Sequence, residues 1–411
     1  MEVLEQQASA TRQAGRRLFT EITRKFDQQY WNFFLASLFF DLGMFIFSFL
    51  YNLYLLDRGL NEKTMGWIAG AASLGTMAAT IPAGALARKL GLSKALQCCF
   101  VLIPVVSGAR ALIQSEVLLV VLAFVGGAGF AIWAVSLPPV VARLTNEQNR
   151  PLGFSLIFAL GIGSGILGGY LGGHIPSWVS AIQNSSAAGL KQSGLLLSCV
   201  FVLIGIIPAL KLSIHSETQS EVRAVQFDSS YLSRFLPAVA VWSFGLGVLS
   251  PFLSVYLTKG LRLALPQVGS MFSLSQFLQM VSVLLAPRIF RKCGTLSGVT
   301  LAQVATSIAL VGFVCFSARL GMLTAFAAMS LFQYMNEPGL YTLLMNNVAP
   351  ENQSRASAWN FFVICGAQAI AAVSGGALLV RFGYSVTLLS VAILMAVSAI
   401  VLFCSMRGRA A

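Results

Sequence analysis

Apolar runs long enough to cross a bilayer recur from residue 31 to residue 405, and few charges interrupt them. A spanning helix needs about 20 mostly apolar residues, because the hydrocarbon core offers no hydrogen-bond partner to an open backbone. Bounded by charges, Gly and Pro, the runs predict twelve helices: 31–56, 65–86, 93–113, 117–139, 152–174, 189–210, 235–257, 267–289, 296–317, 320–346, 357–380 and 384–405. Only 10% of the 411 residues are charged, whereas a soluble domain carries about 25%. The composition excludes an ordinary soluble enzyme, and the expected fold class is an all-α membrane protein.

The placement of charge predicts orientation. With the N-terminus inside, 19 of the 27 Lys and Arg residues fall in cytoplasmic segments and 8 fall outside, the bias that sets topology. Both termini are therefore expected in the cytoplasm. The net charge of +13 is accounted for in this way, so no nucleic-acid partner is expected. The first 30 residues lack the apolar core of a cleavable signal and are expected to remain as a tail. The cysteines form no CxxC pair, and His174 and His215 stand alone, so no disulfide framework, metal site or cofactor is expected. Compact loops and a minimal length suggest a bacterial cytoplasmic (inner) membrane.

The chain divides into a tail (1–30), a six-helix half (31–210), a polar linker (211–234), a second six-helix half (235–405) and a short tail (406–411). The linker contains His215, Glu217, Glu221, Arg223 and Asp228. Three weak matches recur in the same order in both halves. Gly84 to Gly91 precedes Pro287 to Gly294 by 203 positions, Asn149-Arg150 matches Ser354-Arg355, and Arg58-Gly59-Leu60 matches Lys259-Gly260-Leu261. Parallel halves of this kind are one of the known transporter architectures.

The run Gly84-Ala85-Leu86-Ala87-Arg88-Lys89-Leu90-Gly91-Leu92-Ser93-Lys94 resembles the conformational loop after helix two of the major facilitator superfamily. The glycines Gly84 and Gly91 and the basic residues Arg88 and Lys89 fit. Arg88, however, stands where the family pattern has Asp, so the charge contact implied for that loop is altered. Ala123 likewise stands where many members carry an Arg in helix four. The seven glycines from Gly161 to Gly173 resemble the glycine-rich motif of drug exporters without its Pro, and close helix packing accounts for them more simply. The resemblance implies two pseudo-symmetric six-helix halves around a central cavity lined by helices one, four, seven and ten.

Twelve of the fourteen acidic residues lie in tails, loops or helix ends. The other two, Asp41 in helix one and Glu337 in helix ten, are expected to serve proton coupling or substrate binding, since a charge at mid-bilayer costs at least about 2.5–3.5 kcal/mol. Desolvation favours the protonated form of a carboxyl, which suits proton exchange. Ser48 and Asn52 share a helix face with Asp41, and Gln333 and Tyr341 share one with Glu337. Trp133 and Trp242 are further candidates for the cavity lining. Arg110 and Arg381 are expected to be interface anchors whose long side chains reach water.

With no Lys or Arg expected in the cavity, the solute is expected to be neutral or cationic. The expected function is secondary transport by alternating access, proton-coupled, with efflux preferred and a nutrient-uptake symporter as the alternative. A receptor or assembly partner on the same fold is the rival from another class. An enzyme is not expected, because no paired nucleophile and base or phosphate-binding loop appears. The expected partners are a small-molecule substrate, protons and the lipid bilayer, and a monomer is compatible with all of these.

Overall fold

The computed structural model describes residues 25–214, 230–349 and 352–407. All regular structure among them is helical. The expected linker charges from His215 to Asp228 lie outside the described residues, as do most of the two tails. The first half comprises α1 (Gln28–Asp57), α2 (Glu62–Leu90), α3 (Leu92–Leu112), α4 (Glu116–Arg143), α5 (Arg150–Ser180) and α6 (Ala187–Leu210). The second comprises α7 (Ser230–Val255), α8 (Leu265–Cys293), α9 (Thr295–Cys315), α10 (Arg319–Asn346) and α11 (Gln353–Met406). Most helices begin earlier than the apolar runs, because polar first turns and caps extend them. Asn61 caps α2 by accepting from the Thr64 amide at 3.0 Å, and Ser115 and Ser186 cap α4 and α6.

Ten of these helices, rather than the expected twelve, are long and apolar enough to cross a membrane; α10 is not among them. The eleventh and twelfth expected spans run together as α11. A straight helix of 54 residues would be about 80 Å long, far more than a bilayer needs. The helix is broken at Gly383, whose φ of 76° and ψ of 176° are open to glycine and strained for other residues. Large apolar side chains such as Ile308, Ile370 and Ile393 are exposed on the helices, which suits a hydrocarbon surround.

The repeat is visible in the backbone. Residues 84–90 are the last turns of α2 rather than a loop, and only Gly91 separates α2 from α3. In the other half only Gly294 separates α8 from α9. Gly91 has φ 84° and ψ 151°, and Gly294 has φ 80° and ψ 148°. The expectation of a conformational loop at Gly84, Arg88, Lys89 and Gly91 is thus corrected. Four of the seven residues from 84 to 90 are Ala or Leu, strong helix formers, and Arg88 and Lys89 lie exposed in the last turn, where cations favour the helix dipole.

Side-chain contacts define two ends of the bundle. At the distal end Arg58 donates to the carbonyls of Ile113 and Gln114, Thr64 donates to Glu116, and Lys191 pairs with Asp57. At the terminal end, where α1 begins and α11 finishes, Asn149 donates to the Lys25 carbonyl and Gln97 to that of Ala209.

Candidate functional site

The two halves meet through helix pairs whose contact surfaces are glycine. Gly66 and Gly70 of α2 lie against the backbone of α11 at Ala372 and Ala369, and Gly376 faces the Glu62 carbonyl. Gly165, Gly169 and Gly173 of α5 lie against Gln276, Ser273 and Gly269 of α8. A Cβ at any of these positions would meet backbone or a packed side chain, so their smallness is what permits the approach. All belong to the distal halves or middles of their helices. Towards the terminal end, Ile81 and Phe158 of the first half and Leu284, Trp359 and Phe362 of the second are exposed.

Polar contacts reinforce the same end. Lys259 Nζ lies 2.7 Å from Glu62 Oε1, and the Tyr384 hydroxyl donates to that oxygen at 2.7 Å. Lys259 sits in a π-turn, Tyr256–Gly260, that extends α7 and widens its last turn. About two turns deeper along α7, Asn52 Nδ2 donates to the Pro251 carbonyl at 2.6 Å, joining α1 to α7.

Below this closure lies a cavity of about 650 Å³ between the halves. Ser48, Asn52 and Gln333 line it, together with Gln276, Tyr334 and Gln368. The Tyr334 hydroxyl donates to Gln276 Oε1 at 3.2 Å, linking α10 to α8 across one wall. Besides helices one, four, seven and ten, the walls include α2, α3, α5, α8 and α11, because the halves touch only towards one end.

Asp41 and Glu337 do not belong to that lining. Asp41 lies one turn nearer the terminal end than Met44 and Phe45, facing Gly161 of α5; Glu337 lies one turn nearer than Gln333 and Tyr334. Each carboxylate thus lies about one turn beyond the cavity lining of its own helix, on the terminal side. Neither has an ion-pair partner among the described residues. Tyr341, a further turn along, is exposed and outside the lining.

Three expectations are corrected by this geometry. Trp133 does not face the cavity: it stacks on Phe40 at 4.3 Å and packs against Phe33 and Phe100 within the first half. Trp242 is buried in the largest apolar cluster, away from the lining. Arg110 is not an interface anchor. It lines the cavity, with its guanidinium carbon 4.1 Å from the Tyr51 ring centroid. Helical side chains lean towards the N-terminus of their helix, so Arg110, near the distal end of α3, is delivered back into the protein. The grounds for expecting a neutral or cationic solute are thereby removed. Sequence spacing along single helices could not reveal this, since the depth of Arg110 depends on how α1 and α3 pack.

The comparisons with known proteins agree with this architecture. The family model described as Major Facilitator Superfamily matches residues 33–234 and again residues 235–410. No curated protein matches the chain by sequence. Among solved structures, the nucleoside transporter NupG superposes with a TM-score of 0.72 at 14% identity, covering 92% of this chain and 98% of its own. The D-xylose-proton symporter gives 0.73 at 14%, with 92% and 97% covered. A bacterial homologue of the iron transporter ferroportin, in an inward-facing state, gives 0.70 at 14%, with 90% and 98% covered. At these identities the likeness concerns the fold. The family match extends over both halves, and the chain belongs to the major facilitator superfamily.

Proposed function

We propose that this protein is a secondary transporter that carries a small solute by alternating access, coupled to protons through Asp41 and Glu337. The observation that carries the proposal is the one-sided contact between the halves: glycine-packed helix pairs and the Glu62–Lys259–Tyr384 cluster close the distal end, and the cavity lies below them. Counting α10 and both arms of α11 as crossings gives twelve, which returns both termini to one face. The Lys and Arg bias makes that face cytoplasmic.

Coupling by Asp41 and Glu337 draws support from their places one turn beyond the cavity lining and from the lack of an ion-pair partner for either among the described residues. A carboxyl can take up and give back a proton, so loading and release of a proton can accompany the change of access. Efflux is the preferred direction. Phe45, Phe49, Phe272, Phe326 and Met329 make much of the wall apolar, which suits an amphipathic solute better than a sugar.

Purified protein in proteoliposomes, offered a panel of radiolabelled solutes with and without an imposed proton gradient, tests the proposal. Accumulation of one solute class above equilibrium is expected only with the gradient. Correctly inserted protein that neither accumulates nor exchanges any solute would instead be a receptor or assembly partner.

A further inference from the structure

Arg110 is the one charged side chain lining the cavity among the described residues, and nothing neutralises it. It takes part in neither of the two ion pairs among those residues. Its Nε is buried without a hydrogen-bond partner, and so is the hydroxyl of Tyr51, which is 4% exposed and also lines the cavity. The residue is partly buried, with the rest of its guanidinium in the cavity lining, and a charge with no counter-ion in such a place is retained mainly for function.

The way Arg110 is held leaves its hydrogen-bonding capacity free. The guanidinium carbon stands over the Tyr51 ring, 4.1 Å from its centroid, and 5.4 Å from that of Phe47. Stacking uses the face of the group, whereas its five N–H donors lie in the plane and point outward from its edges. Gly126 of α4, whose missing side chain would stand 3.9 Å from a guanidinium nitrogen, gives the group room. A planar fork of donors set against aromatic rings matches the two oxygens of a carboxylate or phosphate group.

We propose that Arg110, stacked on Tyr51, is the subsite for the anionic group of a small organic oxyanion carried by this protein. The proposal rests on the transporter reading for the word "carried"; binding itself does not depend on it. The solute presents its carboxylate or phosphate to Arg110 and the Tyr51 hydroxyl. Its apolar body lies along Phe49, Phe272 and Phe326, and polar substituents meet Gln276 and Gln333 on the far wall. A cavity of about 650 Å³ holds a solute well beyond the size of a single aromatic ring.

Benzoate, phenyl phosphate, benzamide and benzamidine share one ring and differ in the head group. Binding to the full chain in detergent is measured by thermal shift, and solute counterflow is measured in proteoliposomes. The expected result is stabilisation by benzoate or phenyl phosphate and none by benzamide or benzamidine. Arg110→Gln lowers the oxyanion affinity by at least about tenfold, the loss expected when one partner of a desolvated charge pair is removed. Arg110→Lys retains part of the affinity, and Tyr51→Phe, which keeps the platform, weakens it without lowering the melting temperature of the free protein. Stabilisation by benzamide or benzamidine alone, an Arg110→Gln variant that binds oxyanions as wild type does, or no stabilisation by either oxyanion overturns the proposal. Oxyanion binding without counterflow supports the subsite and rejects the transporter reading. Counterflow of benzamidine alone does the reverse.

Discussion

Lys259 and Glu62 lie 2.7 Å apart across the two halves, one in the widened last turn of α7 and the other in the first turn of α2. Glu62 is 5% exposed and also accepts from Tyr384, whereas the Lys259 side chain is 52% exposed. The contact therefore has a screened side and a buried side, and the two contribute unequally.

Removing the exposed partner has the smaller effect. Lys259→Met is expected to weaken distal closure less, because its exposed ammonium is screened by solvent and Tyr384 still donates to Glu62. Glu62→Ala removes the acceptor for both donors and is expected to weaken closure by about 1.5–3 kcal/mol. Spin labels on exposed residues at the distal end of α2 and beside the Gly383 break of α11 report the change: the long-distance population rises more for Glu62→Ala than for Lys259→Met. Equal effects would place the closure in the glycine contacts alone.

Glycine substitutions separate the seam between halves from the packing within one. Gly127 of α4 faces the Ala72 carbonyl of α2 inside the first half, and Gly163 of α5 has nothing within 4 Å of where a Cβ would stand. Gly127→Ala is expected to destabilise the fold by about 1–3 kcal/mol through overpacking, lowering the yield and melting temperature of purified protein. Gly163→Ala leaves both unchanged. Gly66→Ala, at the α2–α11 crossing, keeps the fold and shifts the access equilibrium away from distal closure.

Proton coupling and solute exchange respond differently to the two lone carboxylates. Asp41→Asn and Glu337→Gln are expected to abolish accumulation driven by a pH gradient, because neither variant can release a proton. Exchange of solute down its own gradient continues, since neither residue lines the cavity. Variants that accumulate solute with the wild-type pH dependence would remove both residues from the coupling mechanism.

Trp133 provides a control for the lining. Trp133→Ala empties a site packed by Phe33, Phe40 and Phe100 and is expected to cost about 3–5 kcal/mol of stability. Solute preference, measured by competition in counterflow, stays as in wild type. Ser48→Ala at the cavity wall is expected to change that preference while leaving the melting temperature alone.

The helical class, the family and the internal repeat were legible in the sequence because each is written along one segment: an apolar run, a motif, a fixed offset between matching residues. Asp41 and Glu337 could be singled out for the same reason, since depth along a helix follows from counting residues. What could not be read was the rotational setting of one helix against another. Trp133 and Arg110 exchanged their expected places because the first turns its ring into the α1–α3–α4 packing and the second turns back under Tyr51. The boundary expected between residues 380 and 384 falls on the break at Gly383, where the two expected spans join without a polar loop between them.

The single-residue junction at Gly91 has a mechanical meaning. A long loop between α2 and α3 would let one helix tilt while the other stood still, but one residue leaves no slack between them. Glu62 stands at the far tip of the first helix and Arg110 near the far tip of the second, so the pair behaves as a folded lever with its elbow at Gly91. A movement at the Glu62–Lys259 contact would then be passed through that elbow towards Arg110, and Gly294 gives the other half an elbow of the same shape.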